Sequence, residues 1–157
     1  MATAQTDLLA LDRQVCFALA AASRSVIGLY RPVLAPMGLT HPQYLVMLCL
    51  WESSPRTLTD IADALYLEPA TLSPLLKRLE QAGYLTRRRS TDDERALSIS
   101  LTSAGEQLRS RALAVPGTIV ERLGVPVEQL ERVRDELTAL LAASAGERLD
   151  RAAVEAG

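Results

Sequence analysis

Apolar residues recur along the chain at helical spacing, and the breaks between them mark the predicted elements. The first long apolar stretch predicts a helix from about residue 7 to residue 31, which Pro32 ends. A second helix is predicted to begin at Thr40, whose side chain caps it while Gln43 reaches back. It continues through the almost wholly apolar residues 44–51 and is therefore expected to lie at the centre of the core.

Two short helices follow, with a turn between them. Thr57 is predicted to cap the first, and Pro69 to open the second, which ends before Gly83. The predicted buried stripe of the second helix consists of Leu72, Leu75, Leu76 and Leu79. The residues predicted to face outward from it are Thr71, Ser73, Lys77 and Arg78.

A hairpin and further helices complete the pattern. Residues 84–89 and 96–101 are predicted to be strands joined by a polar tip, because apolar and polar residues alternate along the second of them. Ser103 with Glu106 predicts a capping box that opens the next helix. Helical spacing of apolar residues predicts a final helix over residues 126–145.

The order helix, turn, helix, hairpin predicts a mainly α fold with a small β-hairpin wing, which is a winged helix-turn-helix. The composition agrees, since 48% of residues are hydrophobic but only 4% are aromatic. A chain of 157 residues is expected to form one domain over residues 1–157. The winged helix-turn-helix region is assigned to residues 40–102, and the helices at 7–34 and 103–145, too apolar for one small domain to cover, are assigned to dimerisation.

The formal net charge of −2 conceals a basic segment. Residues 70–89 hold five basic side chains and only Glu80 as an acid, the charge pattern expected where phosphates bind. The second helix of the pair is predicted to enter the major groove, while Arg95, braced by Asp93, reaches the adjacent minor groove. The predicted DNA-binding residues are Thr71, Ser73, Lys77, Arg78, Arg87, Arg88, Arg89 and Arg95. The alternative is a helix pair with a solvated arginine hairpin.

Cysteine content and charge placement bear on the compartment. Cys16 and Cys49 are too few for a disulfide scaffold, and early charged residues argue against a secretory signal. The uncharged stretch 33–51 is interrupted by Pro36 and Pro42, so no membrane partner is predicted. A cytoplasmic protein is expected. Paired carboxylates, a metal-ligand cluster and a phosphate-binding glycine loop are all missing from the sequence pattern, so neither a cofactor nor an enzyme is predicted.

The residues 58–102 resemble the MarR family of dimeric bacterial transcription regulators, through LEQAGYL from Leu79, DER at 93–95 and SLT at 100–102. The runs that start at Leu11, Tyr30 and Gly38 narrow the resemblance to the organic-hydroperoxide-sensing (OhrR) branch, over nearly the whole chain. This resemblance implies a repressor that binds double-stranded operator DNA as a reduced homodimer. Oxidation of Cys16 by an organic hydroperoxide then releases the DNA of a hydroperoxide-reductase gene and of its own gene.

In that branch two tyrosines of the partner subunit hold the reduced cysteine. Tyr30 matches the first tyrosine, whereas the second falls on His41. Cys16 and Tyr30 lie fourteen positions apart, which on one helix is about 21 Å, so their contact requires two subunits. The chain has no second cysteine near its carboxy terminus and so resembles the one-cysteine type, which relies on a small cellular thiol or on further oxidation. Cys49 lies in an apolar helix and is expected to be structural.

Two rival functions and one open residue remain. A redox-silent regulator of the same family would release DNA on binding a small phenolic or other apolar ligand and would ignore peroxide. A thiol peroxidase would use Cys16 as its nucleophile and turn over with a thiol reductant, but the wing would then have no purpose. His41 either contacts the Cys16 thiolate as a neutral imidazole or is an ordinary exposed residue.

Overall fold

The computed structural model describes residues 7–90 and 96–155, with side chains to residue 145. Within these residues the chain is mostly helical, with a small antiparallel sheet. The helices are α1 (Val15–Leu34), α2 (His41–Glu52), α3 (Leu58–Leu65), α4 (Pro69–Gln81), α5 (Ser103–Ala112), α6 (Val115–Leu123) and α7 (Val127–Glu155). The strands are β1 (Arg56–Thr57), β2 (Leu85–Arg89) and β3 (Leu97–Leu101). The chain divides into two compact units, one ending at Pro116 and one beginning at Gly117.

Local signals position the central helices as predicted. The Thr40 hydroxyl accepts a hydrogen bond from the Gln43 amide at 3.4 Å, and the Gln43 side chain accepts one from the Thr40 amide at 2.9 Å. This capping box starts α2, which packs against α3, α4 and α5. The predictions that α2 lies at the core and that the fold is a winged helix-turn-helix are confirmed.

The core of the first unit is built mainly from aliphatic side chains of α1, α2, α3, α4, β2 and β3. Its largest fully buried side chains are Leu34, Val46, Met47, Leu50, Ile61, Leu72, Leu76, Leu79, Leu85, Ile99 and Val115. Burial of this kind supplies most of the driving force for folding, at about 1.5–3 kcal/mol for each large aliphatic side chain.

The sheet has the strand order β1-β3-β2 and is antiparallel throughout. The predicted hairpin is confirmed to within one residue at its starts, with Leu85 paired to Leu101 and Arg89 to Leu97. β1 was not predicted, because a two-residue strand has no periodicity of its own and depends on pairing with β3.

Four helix ends differ from the predicted ones, and one of them is the end of α7, which lies at Glu155 rather than at residue 145. α1 begins at Val15 rather than near residue 7, since residues 11–13 form a 3₁₀ turn. Pro32 does not end α1, because it lies in the last turn, where the proline ring fits helical φ and removes only one hydrogen bond. Thr102, not Ser103, caps α5, by accepting a hydrogen bond from the Gly105 amide at 3.1 Å.

Within the described part of the chain, no helix taken alone is both long and apolar enough to cross a membrane. Residues 15–37 and α2 taken together are long and apolar enough, by length and composition only, but the two segments are bent by 69° relative to each other.

Candidate functional site

The predicted helix-turn-helix corresponds to α3 and α4, and local signals fix where each of the two helices begins. The Asp60 amide donates to the Thr57 hydroxyl at 3.1 Å, and the Asp60 carboxylate accepts from the Thr57 amide at 3.4 Å, so α3 starts with a capping box. Tyr66, with a left-handed φ of 55°, ends α3, and Pro69 opens α4 as predicted. The turn therefore separates α3 from α4, and the two helices pack against each other.

α4 has one face in the core and one in solvent. Leu72, Leu76 and Leu79 are buried, while Leu75 is only half-buried. Thr71, Lys77 and Arg78 are exposed, as predicted. Ser73 is half-buried, and its hydroxyl donates to the Pro69 carbonyl at 3.0 Å. The exposed face of α4 thus offers one hydroxyl and two cations.

Arg87 is tied to the carboxy-terminal end of α4. Its amide donates to Glu80 Oε1 at 3.0 Å, and its Nε and one terminal nitrogen donate to Glu80 Oε2 at 2.9 and 2.7 Å. These bonds hold the pKa of the Glu80 carboxyl below its usual range. Arg87 therefore joins α4 to the hairpin, and its charge is paired with that of Glu80.

Arg88 and Arg89 are exposed on the hairpin. Arg88 pairs in register with Ser98, on the polar face of the sheet, whereas Arg87 pairs with the buried Ile99. The Ser90 amide donates to the Ala96 carbonyl at 2.8 Å and closes the described part of the hairpin. Arg95 and its predicted brace Asp93 lie outside the described residues.

Cys16 occupies the first turn of α1 and is exposed. Its neighbours Val15 and Phe17 are exposed by 66% and 42%, so this end of α1 carries apolar side chains without cover from its own chain. Cys16 and Tyr30 lie at opposite ends of the same helix, about 21 Å apart by helix rise. The two residues therefore do not meet within one chain.

Tyr30 and His41 do meet. Their ring centroids lie 4.8 Å apart in an edge-on arrangement, with Tyr30 near the end of α1 and His41 at the first position of α2. Tyr44, one turn along α2, lies 6.0 Å from Tyr30. The structure thus brings together the two residues predicted to contact a partner's thiol, and it adds Tyr44, which sequence analysis missed although its spacing from His41 places both on one helix face.

Burial sets the protonation of these rings. It lowers the pKa of His41 below its ordinary value and raises the pKa of Tyr30, because each charged form loses hydration. The expected neutral imidazole is thus favoured, with burial as its cause. Both side chains then present a neutral N–H or O–H donor at pH 7.

Tyr44 links this site to the base of the hairpin. Its ring centroid lies 6.5 Å from that of Trp51, and the Trp51 indole donates to the Gly105 carbonyl at 2.9 Å. Gly105 in turn packs on the Tyr84 carbonyl, directly before β2. Cys49, on the same helix, is buried, and burial raises the pKa of its thiol, which disfavours the reactive thiolate.

Two pockets lie beside the Tyr30–His41–Tyr44 cluster. The first, the α1–α2 pocket, has a volume of about 430 Å³ and is lined by residues that include Ile27, Arg31, Ala35, Leu39 and His41. The second, the α2–α5 pocket, has a volume of about 290 Å³; its lining includes Tyr44, Trp51, Arg109 and Leu113. Among the described residues, no group of His, Cys, Asp and Glu has the arrangement of a metal site.

Comparison with known proteins places this arrangement in context. The model of the MarR family matches residues 39–97. The chain is 42% identical to the organic hydroperoxide resistance transcriptional regulator of Bacillus subtilis, over 86% of this chain and 92% of that protein.

Solved structures agree with the sequence comparison. Reduced AbfR bound to DNA superposes with a TM-score of 0.71 at 38% identity, covering 86% of this chain and 94% of that one; AbfR is a protein of Staphylococcus epidermidis. CouR from Rhodococcus jostii RHA1, bound to p-coumaroyl-CoA, superposes with a TM-score of 0.73 at 26% identity, covering 84% of this chain and 94% of that one.

Proposed function

The chain belongs to the MarR family of DNA-binding transcriptional regulators, and on that premise we propose that it is a repressor which senses organic hydroperoxides through Cys16. The observation that carries the proposal is the ring contact of Tyr30 with His41, a helix length away from an exposed thiol. The similarity to the hydroperoxide resistance regulator of Bacillus subtilis supports the same inducer. We place this regulator in the cytoplasm, where operator DNA and small thiols are found.

The proposed DNA-reading surface combines α4 with the hairpin. Thr71, Lys77 and Arg78 face solvent on α4, and an α-helix fits the major groove. Arg88 and Arg89 contribute charge from the hairpin toward the phosphate backbone, as Arg95 is proposed to do. Arg87, which is paired with Glu80, is assigned instead to holding the hairpin against α4. The DNA-bound structure of AbfR supports this use of the fold.

The homodimer is proposed to form through the terminal helices. α1 exposes Val15, Phe17 and Ile27, and α7 exposes an apolar set of its own. On α7 that set consists of Val127, Val133, Leu137, Leu140 and Leu141. Exposed apolar helix faces of this extent normally mark a protein–protein interface. In a homodimer with a twofold axis, the same apolar faces of both subunits become buried.

In the proposed dimer Tyr30 and His41 of one subunit donate hydrogen bonds to the Cys16 thiolate of the other. The thiolate sulfur attacks one oxygen of the hydroperoxide, so that an S–O bond forms and the O–O bond breaks. The departing alkoxide takes a proton and leaves as an alcohol, while Cys16 becomes a sulfenic acid. A small cellular thiol then condenses with the sulfenic acid, releasing water and leaving a mixed disulfide.

Oxidation is proposed to alter the contact of Cys16 with Tyr30 and His41. His41 begins α2, whose far end holds Trp51 against Gly105 and so borders the base of the hairpin. A shift of α2 therefore has a packed route toward the DNA-reading surface. In the DNA-bound dimer the DNA-reading surfaces of the two subunits are proposed to lie one turn of the DNA helix apart. A change in this distance would release the operator.

The direct test measures binding of reduced protein to the promoter duplex upstream of its own gene. One equivalent of cumene hydroperoxide is expected to weaken binding at least tenfold, and dithiothreitol is expected to restore it. One equivalent of hydrogen peroxide provides the comparison oxidant. Unchanged binding after confirmed exposure to cumene hydroperoxide would contradict the sensing function but not the DNA-binding role.

The second candidate function is release by a small apolar ligand, and the α2–α5 pocket favours it. The pocket combines apolar and aromatic side chains with one basic residue, Arg109, and one acidic residue, Glu52, and its volume of about 290 Å³ approaches the size of small-molecule sites. CouR, a structural neighbour, binds p-coumaroyl-CoA. Insensitivity to peroxide together with release by a phenolic acid would favour this candidate.

The contact residues make a separate prediction. Tyr30→Phe and His41→Ala are each expected to slow Cys16 oxidation about tenfold at neutral pH, because each removes one hydrogen bond that stabilises the thiolate. His41→Tyr should keep the wild-type rate, since the phenol supplies a donor. The measurement is the rate of Cys16 thiol loss between pH 5 and pH 9.

Tyr44→Phe is the matched control, because Tyr44 packs on Tyr30 but is not assigned a thiol contact. It should oxidise at the wild-type rate. A His41→Ala rate profile that superimposes on that of the wild type would return His41 to an ordinary surface role.

A further inference from the structure

A short turn, residues 35–40, joins the two helices that hold Tyr30 and His41. It begins with a 3₁₀ turn over Ala35–Met37, and Gly38 follows with a left-handed φ of 68°. Tyr30 lies in the second-last turn of α1, just before this segment, and His41 comes directly after it. A change in the contact between the two rings therefore acts on both ends of the 35–40 turn.

The 35–40 turn is held in place by two side chains from distant parts of the chain. The Tyr84 hydroxyl donates a hydrogen bond to the Met37 carbonyl at 3.1 Å. One terminal nitrogen of Arg111 donates to the Pro36 carbonyl at 2.7 Å. The side chains of Met37 and Leu39 are buried in the core. The turn is thus fixed both by packing and by two directed hydrogen bonds.

Tyr84 lies at the base of the hairpin. It directly precedes β2, and its own carbonyl accepts a hydrogen bond from the amide of Thr102, the residue after β3, at 3.1 Å. Its hydroxyl therefore bonds to the 35–40 turn while its backbone bonds to the hairpin. The phenol ring is rigid and turns about only two side-chain bonds, so this residue fixes the distance between the two segments.

This connection is more direct than the one through α2. The α2 route covers the ten positions from His41 to Trp51, about 15 Å of helix, before it reaches Gly105. The Tyr84 route passes from the 35–40 turn to the residue before β2 through a single side chain. A displaced turn therefore acts on the base of the hairpin without any movement of α2 along its length.

We propose that Tyr84 is a positioning residue of the operator switch, whose hydroxyl carries a displacement of the Tyr30–His41 pair to the hairpin. This role rests on the proposed function for the event that displaces the pair. Tyr84 is assigned no contact with the thiol or with DNA. Loss of its hydroxyl should therefore separate oxidation of Cys16 from release of the operator, which is the coupling evidence that a packed route requires.

Tyr84→Phe tests this role, because it removes the hydroxyl and keeps the ring. The reduced variant should bind the operator within about twofold of the wild-type affinity, and its Cys16 thiol should be lost at the wild-type rate. Release by one equivalent of cumene hydroperoxide should fall from about tenfold or more to about threefold or less. A variant that melts at a lower temperature but releases the operator as fully as the wild type would make Tyr84 a structural residue and overturn the role.

A double-mutant cycle tests the same connection without peroxide. Gly38→Ala strains the 35–40 turn, because Gly38 has a φ of 68°, although an added Cβ would meet no atom within 4 Å. It is expected to weaken operator binding about threefold in the wild-type background and less than about 1.5-fold in the Tyr84→Phe background. Gly38→Asn, which tolerates a left-handed φ better than alanine, should show the same pattern with a smaller effect.

Gly124→Ala is the matched control for this cycle. Gly124 has a φ of 62° and the same open space, but it lies in the second unit and has no bond to Tyr84. Its effect on operator affinity should be equal in the two backgrounds. Equal effects of Gly38→Ala in the two backgrounds, or no effect in either, would overturn the role of Tyr84.

The two tests separate this role from the sensing function. A wild type that ignores peroxide, together with a cycle that shows coupling, would refute the sensing function and retain the connection through Tyr84. Normal release by the wild type, together with an additive cycle, would refute the connection alone.

Discussion

Replacing Cys16 by serine is expected to leave operator binding intact and to abolish its release by organic hydroperoxide. The residue is exposed at the first turn of α1 and contributes nothing to the core, so the substitution should not unfold the protein. It lies far along the chain from the exposed face of α4, so the affinity of the reduced protein should not change. Serine lacks a sulfur to oxidise, and the expected loss of response is therefore complete.

The measurement is operator affinity before and after one equivalent of cumene hydroperoxide, for the wild type and the variant. Cys49→Ala is the matched control, because its thiol is buried and its pKa is raised by that burial. It should respond as the wild type does. Equal release by Cys16→Ser and the wild type would refute the sensor assignment, and loss of release in a folded Cys49→Ala protein would make Cys49 a second redox residue.

The elements whose ends depend on local chemistry could be predicted from the sequence. α2 and α3 begin where Thr40 and Thr57 cap them, and α4 begins at Pro69. In each case the residue that determines the helix start lies within a few positions of that start, so the sequence shows it directly. The start of α1 was predicted wrongly for a related reason. The Gln14 side chain donates hydrogen bonds to carbonyls of the preceding turn, which favours that turn over a continued helix. The spacing of apolar residues does not show this competition.

Contacts between distant segments were beyond the sequence pattern. The pairing of β1 with β3 and the hydrogen bond from Trp51 to Gly105 join residues more than forty positions apart, and a single sequence holds no local sign of either. Arg87 illustrates the same limit at shorter range. The sequence analysis assigned Arg87 to the DNA-binding residues because of its charge. In the structure the turn at Gly83 brings Arg87 next to Glu80, and the two side chains form an ion pair.

The candidate thiol site was predicted in part. Tyr30 and His41 came from resemblance to a family, and their ring contact supports the assignment, but no physical pattern in the sequence alone indicated that they would meet. The approach of Cys16 remains a prediction, since it involves a second subunit.

Gly105→Ala is expected to lower the stability of the first unit. A Cβ at Gly105 would collide with the backbone carbonyl of Tyr84 and crowd the Leu101 side chain. That carbonyl accepts a hydrogen bond from the Thr102 amide at 3.1 Å, and the Gly105 carbonyl accepts one from Trp51 at 2.9 Å, so neither backbone can move away without breaking a bond.

Overpacking against fixed backbone costs about 1–3 kcal/mol of unfolding free energy, and each kcal/mol lowers the melting temperature by about 2–4 °C in a chain of this size. The measurement is thermal unfolding followed by circular dichroism at one fixed protein concentration, because dimerisation makes the midpoint depend on concentration. The fluorescence of Trp51, the only tryptophan of the chain, should also differ between the variant and the wild type at temperatures where both are folded.

Gly117→Ala is the matched control for this prediction. Gly117 also lies in a helix, but a Cβ there meets no atom within 4 Å, and its backbone does not have positive φ. Alanine should therefore stabilise the chain, by up to about 1 kcal/mol of helix propensity. If the two variants melted at the same temperature, the close approach of α5 to the base of the hairpin would not exist, and the route proposed from α2 to the DNA-reading surface would lose its last contact.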